Sequence, residues 1–138
     1  MKTNIIIILI LAIILTFSSC KKVDERIIGV WNCQTYTNLP QETTIFTFLE
    51  NGHLVVKVNN INSANNPFID TCRYSVIQTA LKKQIDISES GEIPYFGSLN
   101  GKYKVYKYRN DILILHRLEF ENGETAGSYK RLEMMRAD

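Results

Sequence analysis

The sequence predicts an all-β domain, a small antiparallel up-and-down β-barrel of about eight strands that follows a cleaved signal peptide. Apolar and polar residues alternate with a period of two along most of the chain, as in strands with one buried face. Asn-Gly pairs, which favour tight hairpin turns, stand at 51–52, 100–101 and 122–123. Because a row of short strands would expose its edges, closure into a barrel is favoured over an open or sandwiched sheet.

The first nineteen residues have the organisation of a signal peptide. Lys2 precedes an unbroken apolar run over residues 5–15, and the small polar residues Ser18 and Ser19 follow. A bilayer-spanning helix needs about 20 apolar residues, so this run is too short to span but suits a signal-peptide core. A permanent N-terminal anchor helix is the alternative.

Residues 17–20, Phe-Ser-Ser-Cys, resemble the lipobox at which bacterial lipoproteins are cleaved. The resemblance implies that the Cys20 thiol accepts diacylglycerol and that its freed amine is acylated, for example with palmitate. Two or three acyl chains give stable membrane anchoring where one does not. The chain then divides into a signal peptide (1–19), the lipidated cysteine with its tether (20–26) and the barrel domain (27–138).

The same resemblance implies an address at the cell envelope. Residue 21, directly after Cys20, is not Asp, and in this the chain resembles lipoproteins that move on to the outer membrane. The expected location is the periplasmic face of that membrane or the cell surface. Residues 21–25, Lys-Lys-Val-Asp-Glu, are loosely similar to surface-export tethers of some Bacteroidetes lipoproteins. A solvated linker is the simpler interpretation of this segment.

The charge balance excludes one class of partner. The chain has 16 Lys and Arg against 14 Asp and Glu, and removal of residues 1–19 takes away Lys2 alone, leaving 15 against 14. A net charge of +1 gives no electrostatic basis for binding nucleic acid. The lipobox resemblance instead implies attachment to the membrane through the N-terminal lipid.

Two cysteines, Cys33 and Cys72, lie in the predicted domain. An even pair in an oxidising compartment is a disulfide candidate, and a loop of about 40 residues would add roughly 4 kcal/mol to stability through loop-closure entropy. Two buried free thiols are the alternative. The sequence contains no Cys-x-x-Cys pair, and the spacing of the cysteines to the two histidines is not that of a metal site. It therefore does not predict a metal site.

The strands follow one another with short turns. Gly29, Trp31 and Cys33 share one face of the first strand, and Asn51-Gly52 joins the second strand to the third. In the sixth strand, alternation places Tyr106 and Tyr108 on one face and Tyr103 and Val105 on the other. The predicted strands cover residues 28–36, 44–49, 53–58, 72–77, 81–88, 102–108, 112–120 and 127–132.

Three motifs in order carry a family resemblance. They are Gly29-x-Trp31, the Thr-Phe-Leu-Glu-Asn-Gly sequence at 47–52, and the apolar strand 111–115 followed by Tyr-Lys-Arg at 129–131. After a lipobox, this order resembles the lipocalin-like lipoproteins of Bacteroidetes, over roughly residues 27–133. The resemblance implies a barrel closed at its base, where Trp31 packs under the barrel and Arg131 lies across the indole ring.

The resemblance also implies that the barrel mouth binds a small apolar molecule, without catalysis or cofactor. Two irregular segments supply the candidate contacts, which either line an apolar site or plug the mouth. The rival hypothesis is a protein-interaction module, an inhibitor or accessory subunit at the envelope, whose barrel is filled. A cavity of at least about 300 Å³ would favour the carrier. The candidate ligand-binding residues are Phe68, Ile69, Tyr95 and Phe96.

No residue pattern predicts an enzyme. His53 follows a turn, and His116 lies on a strand face with Ile112, Ile114 and Leu118. The carboxylates are scattered, and neither a Gly-rich phosphate loop nor a nucleophile elbow is present. An enzyme would require a cluster in space between His116 and a carboxylate.

Overall fold

A computed structural model describes residues 23–34, 42–60, 67–109, 111–125 and 131–137. Cys20, its lipobox and the segment expected to be the signal peptide lie outside the described residues. The described helix α1 is five residues long, and no described helix has the length and apolar content to cross a membrane. The elements are α1 (Val23–Ile27), β1 (Gly29–Gln34), β2 (Glu42–Phe48), β3 (His53–Asn60), β4 (Phe68–Gln78), β5 (Lys83–Ser88), β6 (Glu92–Ile93), β7 (Gly97–Ser98), β8 (Gly101–Arg109), β9 (Ile112–Phe120) and β10 (Arg131–Arg136).

Eight strands form a closed antiparallel barrel, which confirms the predicted fold class. Their order around the barrel is β1-β10-β9-β8-β5-β4-β3-β2, and β6 and β7 pair separately as a small hairpin. The first and last strands close the barrel, because β1 pairs with both β2 and β10. Trp31 faces Phe46 on one side and Arg136 on the other.

The two ends of the barrel carry different connections. The strand register places the start of β1, the end of β10 and the β2–β3 turn at one end, which we call the base. The β4–β5 and β8–β9 turns lie at this end too, because every neighbouring pair is antiparallel. The other end, the mouth, carries residues 89–100 between β5 and β8.

Helix α1 and Trp31 close the base. Val23 and Ile27 of α1 are buried, so the segment expected to be a polar tether ends in a helix packed on the barrel. The Trp31 side chain is fully buried, and its indole N–H donates to the Ile27 carbonyl at 2.7 Å. Tyr108 packs edge-on against the indole, with 6.4 Å between ring centroids.

The arginine that covers Trp31 is Arg136, and the expectation for Arg131 was wrong. The Arg136 guanidinium lies 4.5 Å from the indole centroid and donates to the carbonyls of Arg26 (2.6 Å) and Ile28 (3.3 Å). Arg131 instead pairs with Glu133 on the barrel surface. The physical reason is the position of β10, which begins at Arg131 and runs towards the base, so five residues at about 3.4 Å each separate the two arginines.

Cys33 and Cys72 are buried free thiols, so the disulfide expectation was wrong. The two residues lie on β1 and β4, with β2 and β3 between them. Neighbouring strands are about 4.8 Å apart, and three such steps exceed the roughly 7 Å limit on Cα separation in a disulfide. The residues also lie at different levels, since Cys33 faces Thr44 whereas Cys72 faces Leu54.

These thiols will be unreactive in the folded domain. Burial raises the pKa of both Cys33 and Cys72 to about 12, and the charges of Glu133 and Asp70 respectively add to the shift. At pH 8 about one thiol in 10⁴ is then ionised, so labelling with Ellman's reagent is expected to be slow until denaturant is added. Rapid reaction of two thiols per molecule in the native Cys20→Ser domain would contradict the structure. A protein mass 2 Da lower before reduction than after it would indicate a disulfide.

The same shifts predict a loss of stability at alkaline pH. A folded-state pKa raised from 9.0 to about 12 leaves the unfolded thiol the stronger acid. The stability that the two neutral thiols contribute is fully present below pH 9, and it is lost as the pH rises towards their folded-state pKa. Urea melts between about pH 8 and 10 measure it, and a Cys72→Ala variant should show a shallower dependence.

Strand β8 contains irregularities that alternation alone does not predict. Its pairing with β9 shifts register between Lys102 and Tyr103 and again between Val105 and Lys107. A bulge adds a residue to one strand and reverses the alternation beyond it. Tyr106 is exposed, as alternation with Tyr103 and Val105 predicts, but beyond the bulge Tyr108 packs against the core, so the prediction that these two tyrosines share a face was wrong.

Candidate functional site

Residues 89–100 plug the mouth of the barrel. Ile93 and Leu99 are each 2% exposed and belong to the core. The Phe96 ring packs edge-on against Phe46 of β2 with 5.8 Å between centroids. Tyr95, at the tip of the β6–β7 hairpin, has a positive φ of 68° and a half-exposed side chain. Of the two interpretations of this segment, the structure supports the plug.

Hydrogen bonds fasten the plug on two sides. The Gly91 N–H donates to the Asp70 carboxylate at 3.0 Å, which ties the segment to β4. The Asn100 side chain accepts from the Ser90 N–H at 2.7 Å and donates to the Glu121 carboxylate at 2.8 Å, next to the end of β9. These hydrogen bonds fix the plug to the barrel wall at β4 and near the end of β9.

The four candidate ligand residues do not line one pocket. Phe68 and Ile69 are consecutive on β4, so their side chains point to opposite faces. Ile69 pairs with Lys57, faces outwards and is 58% exposed, whereas Phe68 pairs with Val58 on the inner side. Phe96 belongs to the plug, and Tyr95 projects from it. Phe68, Ile69 and Tyr95 are partly exposed apolar side chains around the plugged mouth, and we call these three residues the rim.

Arg117, which the sequence analysis did not single out, lies inside the mouth. It is 5% exposed and faces Tyr103 across the β8–β9 pair. Its Nε donates to the Tyr103 hydroxyl at 2.8 Å, and its Nη2 donates to the Ser98 carbonyl at 2.6 Å and to the same hydroxyl. The guanidinium carbon lies 5.0 Å from the Tyr103 ring centroid and 4.9 Å from that of Phe120. The buried Nη1 has no hydrogen-bond partner among the residues that the structure describes.

No described carboxylate neutralises Arg117. The ion pairs of the described residues, such as Arg73–Glu89 and Lys102–Glu119, join side chains at the surface. The connections 35–41, 61–66 and 126–130 contain no Asp or Glu. An unpaired buried charge costs several kcal/mol, which the two aromatic rings and the oxygen acceptors offset in part. Among the described residues that are buried, Arg117 is the one with a charged side chain.

Tyr103→Phe will test this arrangement. The hydroxyl accepts from Arg117 and donates to the Leu99 carbonyl at 2.7 Å, so its removal leaves buried polar groups without partners. We expect a loss of about 1–3 kcal/mol in the free energy of unfolding, measured by urea denaturation. Tyr106→Phe is the matched control, because Tyr106 is 61% exposed and should change stability by less than about 0.5 kcal/mol. Equal effects would contradict the role of the Tyr103 hydroxyl.

The two histidines lie apart from the plug. His116 stacks on Tyr106 on the outer face, with ring centroids 4.6 Å apart and planes at 9°. Burial lowers the pKa of His116, and the positive charges of Arg131 and Lys104 lower it further. His53 is the first residue of β3, beside the β2–β3 turn, and its backbone N–H donates to the Asn51 side-chain oxygen. Among the described residues, no group of three or more His, Cys, Asp or Glu side chains is placed to hold a metal ion.

Two pockets lined by described residues open on the outside of the barrel. One of about 280 Å³ lies against β9 and β10 and includes Ile112, Ile114 and Met135. Another of about 250 Å³ lies beside the β4–β5 turn and includes Leu81 and Leu118. The interior is occupied by side chains under 2% exposed, and the largest are Trp31, Tyr103, Phe46 and Phe48.

Comparison with known proteins assigns no relative. No protein-family model matches the chain, and no curated protein matches it significantly in sequence. The closed eight-stranded barrel is consistent with a lipocalin-like domain. What the domain does is therefore argued from its own surface and interior.

Proposed function

We propose that this chain is a lipid-anchored envelope lipoprotein, similar to the lipocalin-like lipoproteins of Bacteroidetes, that acts as a protein-interaction module. The plugged mouth carries this proposal, because Ile93, Phe96 and Leu99 occupy the space that a carrier would leave for its ligand. The lipobox and the apolar run before it support lipid attachment at Cys20.

The rim of the mouth is the proposed contact surface. Tyr95 and Ile69 are at least half exposed, and Phe68 is 38% exposed. Aromatic and aliphatic side chains held on a rigid support are typical centres of protein interfaces, because binding then restricts few additional rotamers. The hydrogen bonds of Gly91 and Asn100 provide that support for the segment that carries Tyr95.

A photo-crosslinking amino acid at position 95 tests the interaction in the native envelope. We expect a discrete covalent adduct with one protein, and at least a tenfold lower yield of co-purified partner for Tyr95→Ala, as for an interface hot spot. Glu50, exposed in the β2–β3 turn at the opposite end of the barrel, is the control position and should give no adduct. Absence of an adduct at 95, or the same adducts at both positions, would reject the rim as the contact surface.

Intact mass spectrometry of the membrane fraction tests the anchor. Wild-type protein should lack residues 1–19 and carry diacylglycerol, with or without an amine-linked acyl chain, on Cys20. Cys20→Ser should retain the precursor mass, whereas Cys33→Ser should be processed normally, since Cys33 lies within β1. Cleavage and membrane retention of Cys20→Ser would contradict lipid anchoring.

Arg117 supports a second candidate function, the binding of a small amphipathic acid at the mouth. A carboxylate is the usual partner of a guanidinium, and here it would accept from Nη1, to which no described group is hydrogen-bonded. Tyr103 and Phe120 would contact its apolar part. Native mass spectrometry of the Cys20→Ser domain purified from its own host should then show an adduct that Arg117→Met loses. A clean apo mass from both proteins would exclude this candidate and leave the interaction module.

A further inference from the structure

The β4–β5 turn presents an apolar side chain to solvent at the base of the barrel. Leu81 is fully exposed, at 101% of the reference value, and Lys82 and Lys83 beside it are exposed as well. The turn is well defined, because the Thr79 N–H donates to the Lys82 carbonyl at 2.8 Å and the Lys82 N–H donates to the Thr79 hydroxyl at 3.0 Å. Leu81 thus stands at the outer edge of the pocket that also includes Leu118, with its side chain fully open to solvent.

This turn adjoins the point where the chain arrives from its N-terminus. The Val23 N–H, at the start of α1, donates to the Gln78 side chain at 2.7 Å, and Gln78 is the last residue of β4. Cys20 precedes Val23 by three residues, which span at most about 11 Å between Cα atoms. A lipid on Cys20 would therefore hold the membrane close to the base of the barrel, the end at which the β4–β5 turn also lies.

We propose that Leu81 inserts into the membrane that holds the Cys20 lipid, at the boundary between headgroups and acyl chains. The proposal rests on the lipid anchoring argued above. Lys82 and Lys83 form no ion pair with any described side chain and would face lipid phosphates.

The charge distribution confines this contact to the turn. Asp24 and Glu25 of α1 and Glu50 of the β2–β3 turn are exposed at the same end. These acids would be repelled by an anionic surface, so the base as a whole is not a basic face. An apolar tip beside two lysines suits a shallow, local insertion.

Tryptophan fluorescence of the lipidated protein in phosphatidylcholine and phosphatidylglycerol vesicles tests the contact. The natural Trp31 is fully buried and supplies a constant background. The added fluorophore of Leu81→Trp should shift to shorter wavelength on reconstitution, and lipids brominated near the headgroup should quench at least half of its emission. Tyr95→Trp, at the mouth, is the matched control and should be neither shifted nor quenched. Both positions are exposed, and matching urea midpoints for the two variants verify that the barrel is intact.

The outcomes separate this proposal from that of lipid anchoring. The mass of Cys20 is determined first, and a chain without native lipid is coupled at Cys20 to a maleimide lipid before reconstitution. An unquenched probe at position 81 on a lipid-bearing chain overturns the membrane contact while lipid anchoring stands. Quenching at both 81 and 95 overturns it too, because the barrel would then lie without a fixed orientation.

Discussion

Trp31→Ala will lower the free energy of unfolding by about 3–5 kcal/mol, enough to unfold a marginally stable domain. Three contributions disappear together: the fully buried indole, its hydrogen bond to Ile27, and the aromatic face beneath Arg136. The cavity left behind is enclosed by α1 and the barrel wall, which limits relaxation around it. Urea denaturation followed by far-ultraviolet circular dichroism measures the loss without needing the tryptophan signal.

Val30→Ala is the control for this result. Val30 is adjacent in β1 but 40% exposed on the outer face, so its truncation should change stability by less than about 1 kcal/mol. Arg136→Met should give an intermediate loss, since it removes the bonds to Arg26 and Ile28 but keeps an apolar chain over the ring. A loss below about 1 kcal/mol for Trp31→Ala would mean that α1 does not close the base in solution.

Gly101→Ala will destabilise the barrel by about 2–5 kcal/mol, because backbone strain and a steric clash coincide. Gly101 begins β8 with a φ of 147°, a region that L-residues rarely occupy. A Cβ at this position would lie 2.2 Å from the Glu119 carbonyl oxygen of β9, so one of the two paired strands must move. Chemical denaturation gives the size of the effect.

Gly123→Ala separates the two causes. Gly123 also has a positive φ, 80°, but an added Cβ there would meet nothing within 4 Å. Only conformational strain then applies, and we expect a loss of about 1–2 kcal/mol. Similar losses for the two variants would show that β8 and β9 are not in close contact at Gly101.

Much of the barrel could be predicted because its strands are short, alternating and joined by strong turn signals. Asn51-Gly52 forms the turn between β2 and β3, where Gly52 has a φ of 79°. Helix α1 was missed because five residues are too few to show a helical period. The last strand was predicted to end at residue 132, four residues before its observed end, so Arg131 was expected at the base and Arg136 was not considered.

The site was harder to predict, because it depends on which face of a strand points inwards. Strand β9 is apolar on both faces, and Ile114 is only 6% exposed on the outside, so alternation does not identify Arg117 as an interior residue. The bulge at Tyr106 likewise depends on the pairing between β8 and β9. For Arg117 the available signal was its spacing, two positions after Leu115 and four after Leu113, which places all three residues on one face of the strand.

The pairing of β1 with β10 has a consequence for how the chain reaches its fold. Trp31 and Arg136 are neighbours in space although nearly the whole domain separates them in sequence. A chain synthesised from its N-terminus therefore cannot complete its barrel until the final strand has emerged, and contacts of such long range form slowly. The β1–β10 seam, with Arg136 over the Trp31 indole, is consequently the part of the barrel that depends on the last residues to be synthesised.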